Sequence, residues 1–503
     1  MLLLIGGSTI SLIQAQERPN IIIILADDMG YSDLGCMGSE IETPNLDKLA
    51  HEGVLFNHFY TASVCCPSRA SLLTGQWQWD AGMGGMSPSK SSFPEYQGYL
   101  NNKSVTIAEA LKPYDYQTFM VGKWHLGNER PMWPDRRGFD QFYGTPAGGG
   151  LYFYPSTFYD RPVFWNGVEV TPEDGWYSTD GFADHAVDFI ENEREEGKPF
   201  FMYLAFIAPH YPLQAKEKDI QKYKDRYAEG YQAIRNARFT KQKELGIVSE
   251  ETQLSSAVYP SWGSVEDKEQ EAREMEVYAA MVDCMDQNIG KLLATLEAEG
   301  IEDNTAIFFL SDNGAGRVDW NKTPEVEVGS NKSNGTYGVW YNVSSTPYRK
   351  GKRMEHEGGI LTPMIARWPK GIKGGGSIIH EPAHINDFMA TCLELARARY
   401  PETYEGNRID PHDGISFLPL ISGQTQKEDR IYFWSFIGNQ AIRQGDWKLV
   451  RVYEGEWELY NLSEDPTELK DLSGNEPEKL SELQEKFETF AKEHGVRPWP
   501  LKG

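Results

Sequence analysis

Residues 20–28 read NIIIILADD. The apolar part is too short for a buried helix and shows no polar alternation. Such a run, ended by polar residues, predicts a strand buried on both faces, as in a parallel sheet. Comparable runs recur at residues 117–121 (QTFMV), 199–207 (PFFMYLAFI), 306–310 (AIFFL) and 363–368 (PMIARW). Helical periodicity fills the spaces between them, at residues 45–52, 105–111, 181–195 and 271–299. Strands alternating with helices predict an α/β fold with a large central, mostly parallel (mixed) sheet sandwiched by helices. The segment 216–270 is polar and helix-prone and reads as a peripheral insertion. From about residue 423 the character changes. Residues 430–436, 440–452 and 456–460 read as antiparallel strands joined by glycine-bearing turns, and 477–494 as an amphipathic helix. The expected organisation is a main domain over residues 17–422 and a smaller C-terminal α+β subdomain over 423–503.

The chain has 503 residues, with 49 Lys plus Arg against 74 Asp plus Glu, a net charge of −25. That balance speaks against a nucleic-acid partner and against docking on an anionic membrane. An anionic substrate would have to be drawn in by a local cluster of cations. Five cysteines are too few for a disulfide framework in a chain this long. Residues 1–16 (MLLLIGGSTISLIQAQ) resemble a signal peptide. They are too short for a membrane span of ~20 apolar residues, and no other span is expected. A secreted or periplasmic protein of bacterial type follows.

Two acidic pairs follow predicted strands: Asp27-Asp28 and Asp312-Asn313. In open α/β sheets ligands collect beyond the carboxyl ends of the strands, so both pairs can converge on one cation. They offer only oxygen, which favours Ca2+, with Mg2+ as the alternative, over Zn2+. The most specific signal is Cys65-Cys66-Pro67-Ser68-Arg69-Ala70-Ser71-Leu72-Leu73-Thr74-Gly75. Chance produces this C-x-P-S-R-x-x-x-L-T-G pattern in about one in 10⁶ chains of this length. Pro67 suits the first turn of a helix, which would put Cys65 at a helix N-terminus where negative charge is favoured.

This segment resembles the signature of the type I, formylglycine-dependent sulfatases of the alkaline-phosphatase-like superfamily, in their bacterial arylsulfatase-like branch. Further stretches match in order: RPNIIIILADDMGYSDLGCMG with Asp27 and Asp28, GKWHLG with Lys123 and His125, APHYP with His210, LSDNGAG with Asp312 and Asn313, and YRKGKR before Glu357-Gly358-Gly359. The resemblance spans roughly residues 18–470. In the last box it implies Lys352 as a sulfate-binding lysine, chosen by its spacing to Glu357, with Lys350 as the alternative. Leu361 stands where the family often has arginine.

The resemblance implies a mechanism. Cys65 is oxidised to formylglycine by a maturation enzyme, and its hydrate, a geminal diol, attacks sulfur while bound to Ca2+. The metal set is then Asp27, Asp28, Cys65, Asp312 and Asn313. Arg69, Lys123 and Lys352 stabilise the sulfuryl oxygens, His210 protonates the leaving oxygen, and His125 acts as base in releasing inorganic sulfate. The expected substrate is a sulfated carbohydrate, with aryl sulfates as surrogates. The aromatic segments 148–166 and 318–344, with Trp320, Tyr337, Trp340 and Tyr341, are candidates for a sugar-binding wall. Two alternatives remain open at this point. One is a phosphonate monoester or phosphodiester hydrolase of the same superfamily. The other is an inert protein that binds sulfated glycans.

Overall fold

The apolar run becomes β1 (Asn20–Ala26), in the interior of an eleven-stranded sheet. The computed structural model describes residues 18–156, 161–316, 327–333, 335, 338–424 and 430–501. The leader over 1–16, Trp320 and Tyr337 lie outside the described residues. Parallel to β1 run β7 (Phe200–Ala205) and β8 (Thr305–Ser311). Beyond β7 come β3 (Gln117–Lys123) and β4 (Gln141–Thr145), also parallel. On the other side β9 (Leu361–Arg367) runs antiparallel between β8 and β2 (Val54–Tyr60). Short strands finish both edges. β10 (Ser377–Ile379) and β11 (Ala383–His384) pair with β2, and β5 (Val163–Trp165) and β6 (Val168–Val170) form a ribbon on β4. The sheet is therefore mixed, as expected.

Alternation along β1 explains its unbroken apolar sequence. Ile22, Ile24 and Ala26 pack into a core with Met275, Val282 and Leu292 of the helix Lys268–Ala298. Ile21, Ile23 and Leu25 face the opposite core with Leu72, Leu73 and Phe388. Successive side chains point to opposite faces, so only a strand covered on both sides needs isoleucine at every position. Each fully buried isoleucine contributes about 1.5–3 kcal/mol relative to exposure. Local signals fix helix ends: Thr106 and Glu109 form a capping box before Ile107–Leu111, and Asp267 caps Lys268–Ala298 through the Gln270 N–H at 2.9 Å.

The segment 216–270 is mostly exposed, as expected of a peripheral insertion, but one helix anchors it inward. Its helix Tyr231–Glu244 buries Arg235, Arg238 and Gln242. Arg238 donates to Asp33 Oδ1 at 2.6 Å and to Glu40 Oε2 at 2.8 Å, and Gln242 donates to the Thr346 carbonyl at 2.9 Å. Its polarity comes from these buried ion pairs as well as from solvent-facing residues. Trp340 and Tyr341 are likewise interior. Trp340 packs on Tyr231 with ring centroids 4.5 Å apart, so it belongs to the core and not to a sugar-binding wall.

A small hairpin, β12 (Thr403–Tyr404) and β13 (Asn407–Arg408), precedes a separate four-stranded antiparallel sheet. Its strands are β14 (Ile431–Phe436), β15 (Asn439–Gln444), β16 (Trp447–Arg451) and β17 (Glu458–Asn461). The single strand expected over 440–452 is thus two, because Gln444 pairs with Trp447 across a tight turn where Gly445 takes φ 57°. The helix Pro477–Glu493 buries Leu483, Phe487 and Phe490 on this sheet, in a third core shared with Trp77 and Trp79 of the main domain.

Candidate active site

Parallel strands bring their carboxyl ends to one edge, and the chemistry collects there. Asp27 and Asp28 follow β1, Asp312 and Asn313 follow β8, Lys123 ends β3 and His210 follows β7. β2 ends at Tyr60, and five residues later the helix Cys65–Thr74 begins. β9 enters the sheet from the same edge, because it runs antiparallel, so the loop before it delivers Lys352.

The cluster is buried. Asp27, Arg69, Lys123, Asp312 and Asn313 have no exposed surface, and Asp28, Cys65, His125, His210 and Lys352 are buried. Lys123 Nζ lies 2.5 Å from Asp27 Oδ2, and Lys352 Nζ 2.5 Å from Asp28 Oδ1. The Asn313 amide donates to Asp28 Oδ1 at 2.8 Å. Arg69 donates from Nε to Asp312 Oδ2 and from Nη1 to the Lys123 carbonyl, both at 2.9 Å. Cys65 Sγ is 3.4 Å from His125 Nδ1. His210 Nε2 is 3.5 Å from Asp28 Oδ2. Lys352, not Lys350, is therefore the lysine at the cluster.

Backbone conformation marks the same place. Asp28 and His125 take φ 65° and 61°, in the left-handed region that disfavours side chains. Strain of this kind persists where surrounding structure holds a functional group in position. A Cβ built on Gly148 would overlap the His125 ring, so only glycine lets the loop pass that close.

The two histidines are oriented by carbonyls, which can only accept. His210 Nδ1 donates to the Tyr211 carbonyl at 2.6 Å, leaving Nε2 to exchange a proton. His125 Nε2 donates to the Ser87 carbonyl at 3.3 Å, leaving Nδ1 as the acceptor beside Cys65. Burial lowers both imidazoles below the usual value. A hydrogen bond from Cys66 holds the Cys65 thiol well below its ordinary value against burial, with Lys123, His125 and Lys352 adding. Burial pushes Asp312 well up, and Asp27 adds to it. Asp27 itself is held low by Lys123, His210 and Arg69 against its own burial.

The donor set fits a hard cation. Asp27 Oδ1 and Asn313 Oδ1 are buried without a hydrogen-bond donor. Ligand atoms of Asp27, Cys65 and Asp312 lie within 4.8 Å of one another, and so do those of Asp27, Asp28 and His210. Orphaned buried oxygens are costly unless a cation satisfies them. Oxygen donors with mixed geometry suit Ca2+.

A cavity of about 200 Å³ opens onto Cys65, His125, His210 and Lys352. Arg69 and Lys123 do not line it. Arg69 sits behind the carboxylates, with Nε and Nη2 on Asp312 Oδ2 at 2.9 and 2.8 Å. The cavity wall also contains Ser87, Asn128, Arg161 and Arg353, which the sequence reading did not single out as site residues. Tyr152, in the aromatic segment, donates to the His210 carbonyl at 2.6 Å and so supports that histidine from behind.

The family model described as Sulfatase matches residues 19–398. That described as N-sulphoglucosamine sulphohydrolase, C-terminal, matches 349–493. The chain is 36% identical to an uncharacterised sulfatase of Schizosaccharomyces pombe, covering 87% of this chain and 86% of that one. It is 35% identical to an arylsulfatase of Klebsiella aerogenes, covering 81% and 90%. The crystal structure of Ps i-CgsB in complex with k-i-k-neocarrahexaose superposes with a TM-score of 0.72 at 28% identity, covering 94% of this chain and 93% of that one.

Proposed function

The chain belongs to the sulfatase family of sulfuric ester hydrolases, and on that premise we propose that it desulfates a carbohydrate through an aldehyde formed from Cys65, with Ca2+ held by Asp27, Asp28, Asp312 and Asn313. The observation that carries this reading is the meeting of Cys65, His125, His210 and Lys352 around one cavity, above two buried oxygens that lack donors. The hydrated aldehyde would supply a hydroxyl nucleophile at position 65. Bound Ca2+ would supply Lewis-acid charge to that hydroxyl and to the ester.

The chain's own residues do the rest. Lys352 reaches the cavity and pairs with the sulfate oxygens, and Lys123 adds fixed positive charge from below. Arg69 is a positioning residue: it holds Asp312 and the Lys123 backbone in place. His125 Nδ1, which faces position 65, accepts the proton that must leave there. His210 Nε2, with its other nitrogen tied to the Tyr211 carbonyl, delivers a proton to the leaving sugar oxygen. Strong stacking is not required of Trp340 or Tyr341, which lie in the core.

The complex of Ps i-CgsB with k-i-k-neocarrahexaose supports a glycan as the class of substrate. Export through the leader over residues 1–16, and maturation by a formylglycine-generating enzyme, complete the reading. No helix among the described residues is long and apolar enough to cross a membrane. Peptide mass spectrometry across residues 64–69 tests the nucleophile. An aldehyde at position 65 is expected, and an unmodified thiol, in a host that matures a control sulfatase, rules it out. Comparing sulfate and phosphodiester esters of one leaving group tests the reaction; a preference for the phosphodiester would move the assignment to that hydrolase class.

A further inference from the structure

A second cavity, of about 420 Å³, lies beside the catalytic one, and Met86 and Pro88 line both. The catalytic cavity, at about 200 Å³, falls below the ~300–1,000 Å³ usual for a site that encloses a drug-sized ligand, whereas the neighbour lies within it. A ligand that spans both is longer than one ring. The walls come from both parts of the molecule: the loop around Gly84–Ser91 and Tyr96 on one side, and the end of β14 with the chain terminus on the other. The terminus is pinned. The Arg497 N–H donates to Tyr96 Oη at 3.0 Å, and the Arg497 side chain pairs with Glu95 at 3.2 Å and stacks over Phe93 at 4.6 Å.

The lining combines aromatic faces with positive charge. Tyr96, Phe436 and Trp499 contribute rings, and Trp499 is 40% exposed, unusual for so large an apolar side chain. Lys90 is exposed and has no acidic partner among the described residues, and the same holds for Arg353 at the rim of the catalytic cavity. In a chain of net charge −25, two cations without an acidic partner among the described residues, one on each of two neighbouring cavities, are a local reversal of sign. Apolar ring faces with a few placed charges are the chemistry that holds a sugar bearing an acidic group.

We propose that this cavity is the subsite for the sugar next to the sulfated one, in an oligosaccharide that carries a second anionic group. Trp499 stacks on that sugar and Lys90 neutralises its charge. The inference rests on the reading of the reaction given above. The test uses matured full-length enzyme and 4-nitrophenyl sulfate as reporter. Sulfated hexasaccharides cut from carrageenan and heparin are compared, as competitors, with the matching disaccharides. At least one hexasaccharide should compete tenfold or more tightly than its disaccharide. Trp499→Ala and Lys90→Glu should each remove at least fivefold of that advantage, while the KM for 4-nitrophenyl sulfate moves less than threefold. An active enzyme with no length advantage, or an advantage that survives in both variants, overturns the subsite alone. A matured enzyme that turns over no aryl sulfate brings down the reading of the reaction, and the subsite with it.

Discussion

Two buried ionic clusters, built from the same kinds of side chain, behave in opposite ways. At the carboxyl edge of the large sheet, Asp27, Asp28 and Asp312 face Arg69, Lys123 and Lys352. At the junction with the C-terminal sheet, Glu357 and Glu468 share Lys448, at 2.6 and 2.8 Å. There Tyr60 donates to Glu357 Oε2 at 2.8 Å and is itself bonded by Arg443, while the Glu357 N–H donates to Glu468 Oε2 at 3.1 Å. The junction is closed by pairing: each of these carboxylate oxygens has a protein cation or donor within 3.1 Å, Glu468 Oε1 through its ion pair with Lys448 alone. The catalytic cluster is open, with two donor-less oxygens and a cavity above. Burying charge is tolerated in both because the charges are paired, but only the closed cluster is complete without a ligand. What separates a structural from a reactive cluster here is the valence left unfilled, not burial.

Breaking the open cluster should cost chemistry and little stability. Cys65→Ala is expected to lower sulfate-ester hydrolysis by at least ~10³-fold, with a melting temperature close to that of the parent. Steady-state assays on 4-nitrophenyl sulfate with parallel calorimetry check both halves. Retained activity would remove Cys65 from the mechanism.

Breaking the closed cluster should do the reverse. Lys448→Met leaves Glu357 and Glu468 without their shared cation and should destabilise the fold by about 3–5 kcal/mol, read from urea unfolding at pH 7. A loss under 1 kcal/mol would mean that water reaches the junction.

Cation removal discriminates the two clusters directly. Ca2+ at 100 times its dissociation constant should raise stability over the chelated protein by about 2.7 kcal/mol, and Lys448→Met should keep the same increment. Equal melting curves in calcium and in EGTA would exclude the metal.

The smallest effect belongs to a third, more exposed ion pair. His494 Nδ1 lies 2.6 Å from Asp80 Oδ2 and ties the C-terminal helix to the main domain. Burial would lower His494, but the bond to Asp80 and the nearby Asp80, Asp413 and Glu493 charges raise it above 6.5. A raised folded value means that the pair's contribution is complete below about pH 6.5 and disappears as pH rises through the folded value. His494→Gln should therefore cost less than about 1 kcal/mol at pH 5.5 and nothing at pH 9. Urea titrations at the two pH values check it, and a larger cost at pH 9 would reverse the sign.

Much of this was legible in the sequence for physical reasons. NIIIIL could only be a strand covered on both faces, and polar pairs directly after such strands land at one edge by geometry alone. The direction of β9 was not legible, since residues 361–367 read alike either way. Yet its reversal is what brings Lys352 to Asp28. Arg238 and Gln242 read as surface because their partners, Asp33, Glu40 and Thr346, are remote in sequence. Trp340 read as a wall residue because composition does not distinguish a ring in a core from a ring in a cavity. Ser87 and Asn128 have no local signature at all, because each matters only through what folds against it.

The helix Cys65–Thr74 has one more consequence. Every residue of C-x-P-S-R is buried in the finished molecule, Cys65 at 1% exposure and Arg69 at none. An enzyme that recognises this pentapeptide cannot reach it once the sheet has closed over it. Under the proposed maturation, editing of Cys65 would therefore race against folding, and the active fraction of a preparation would record which came first. Slower folding, by a colder culture or a weakened junction at Lys448, would lengthen the window and raise the share of molecules that leave the race equipped to react.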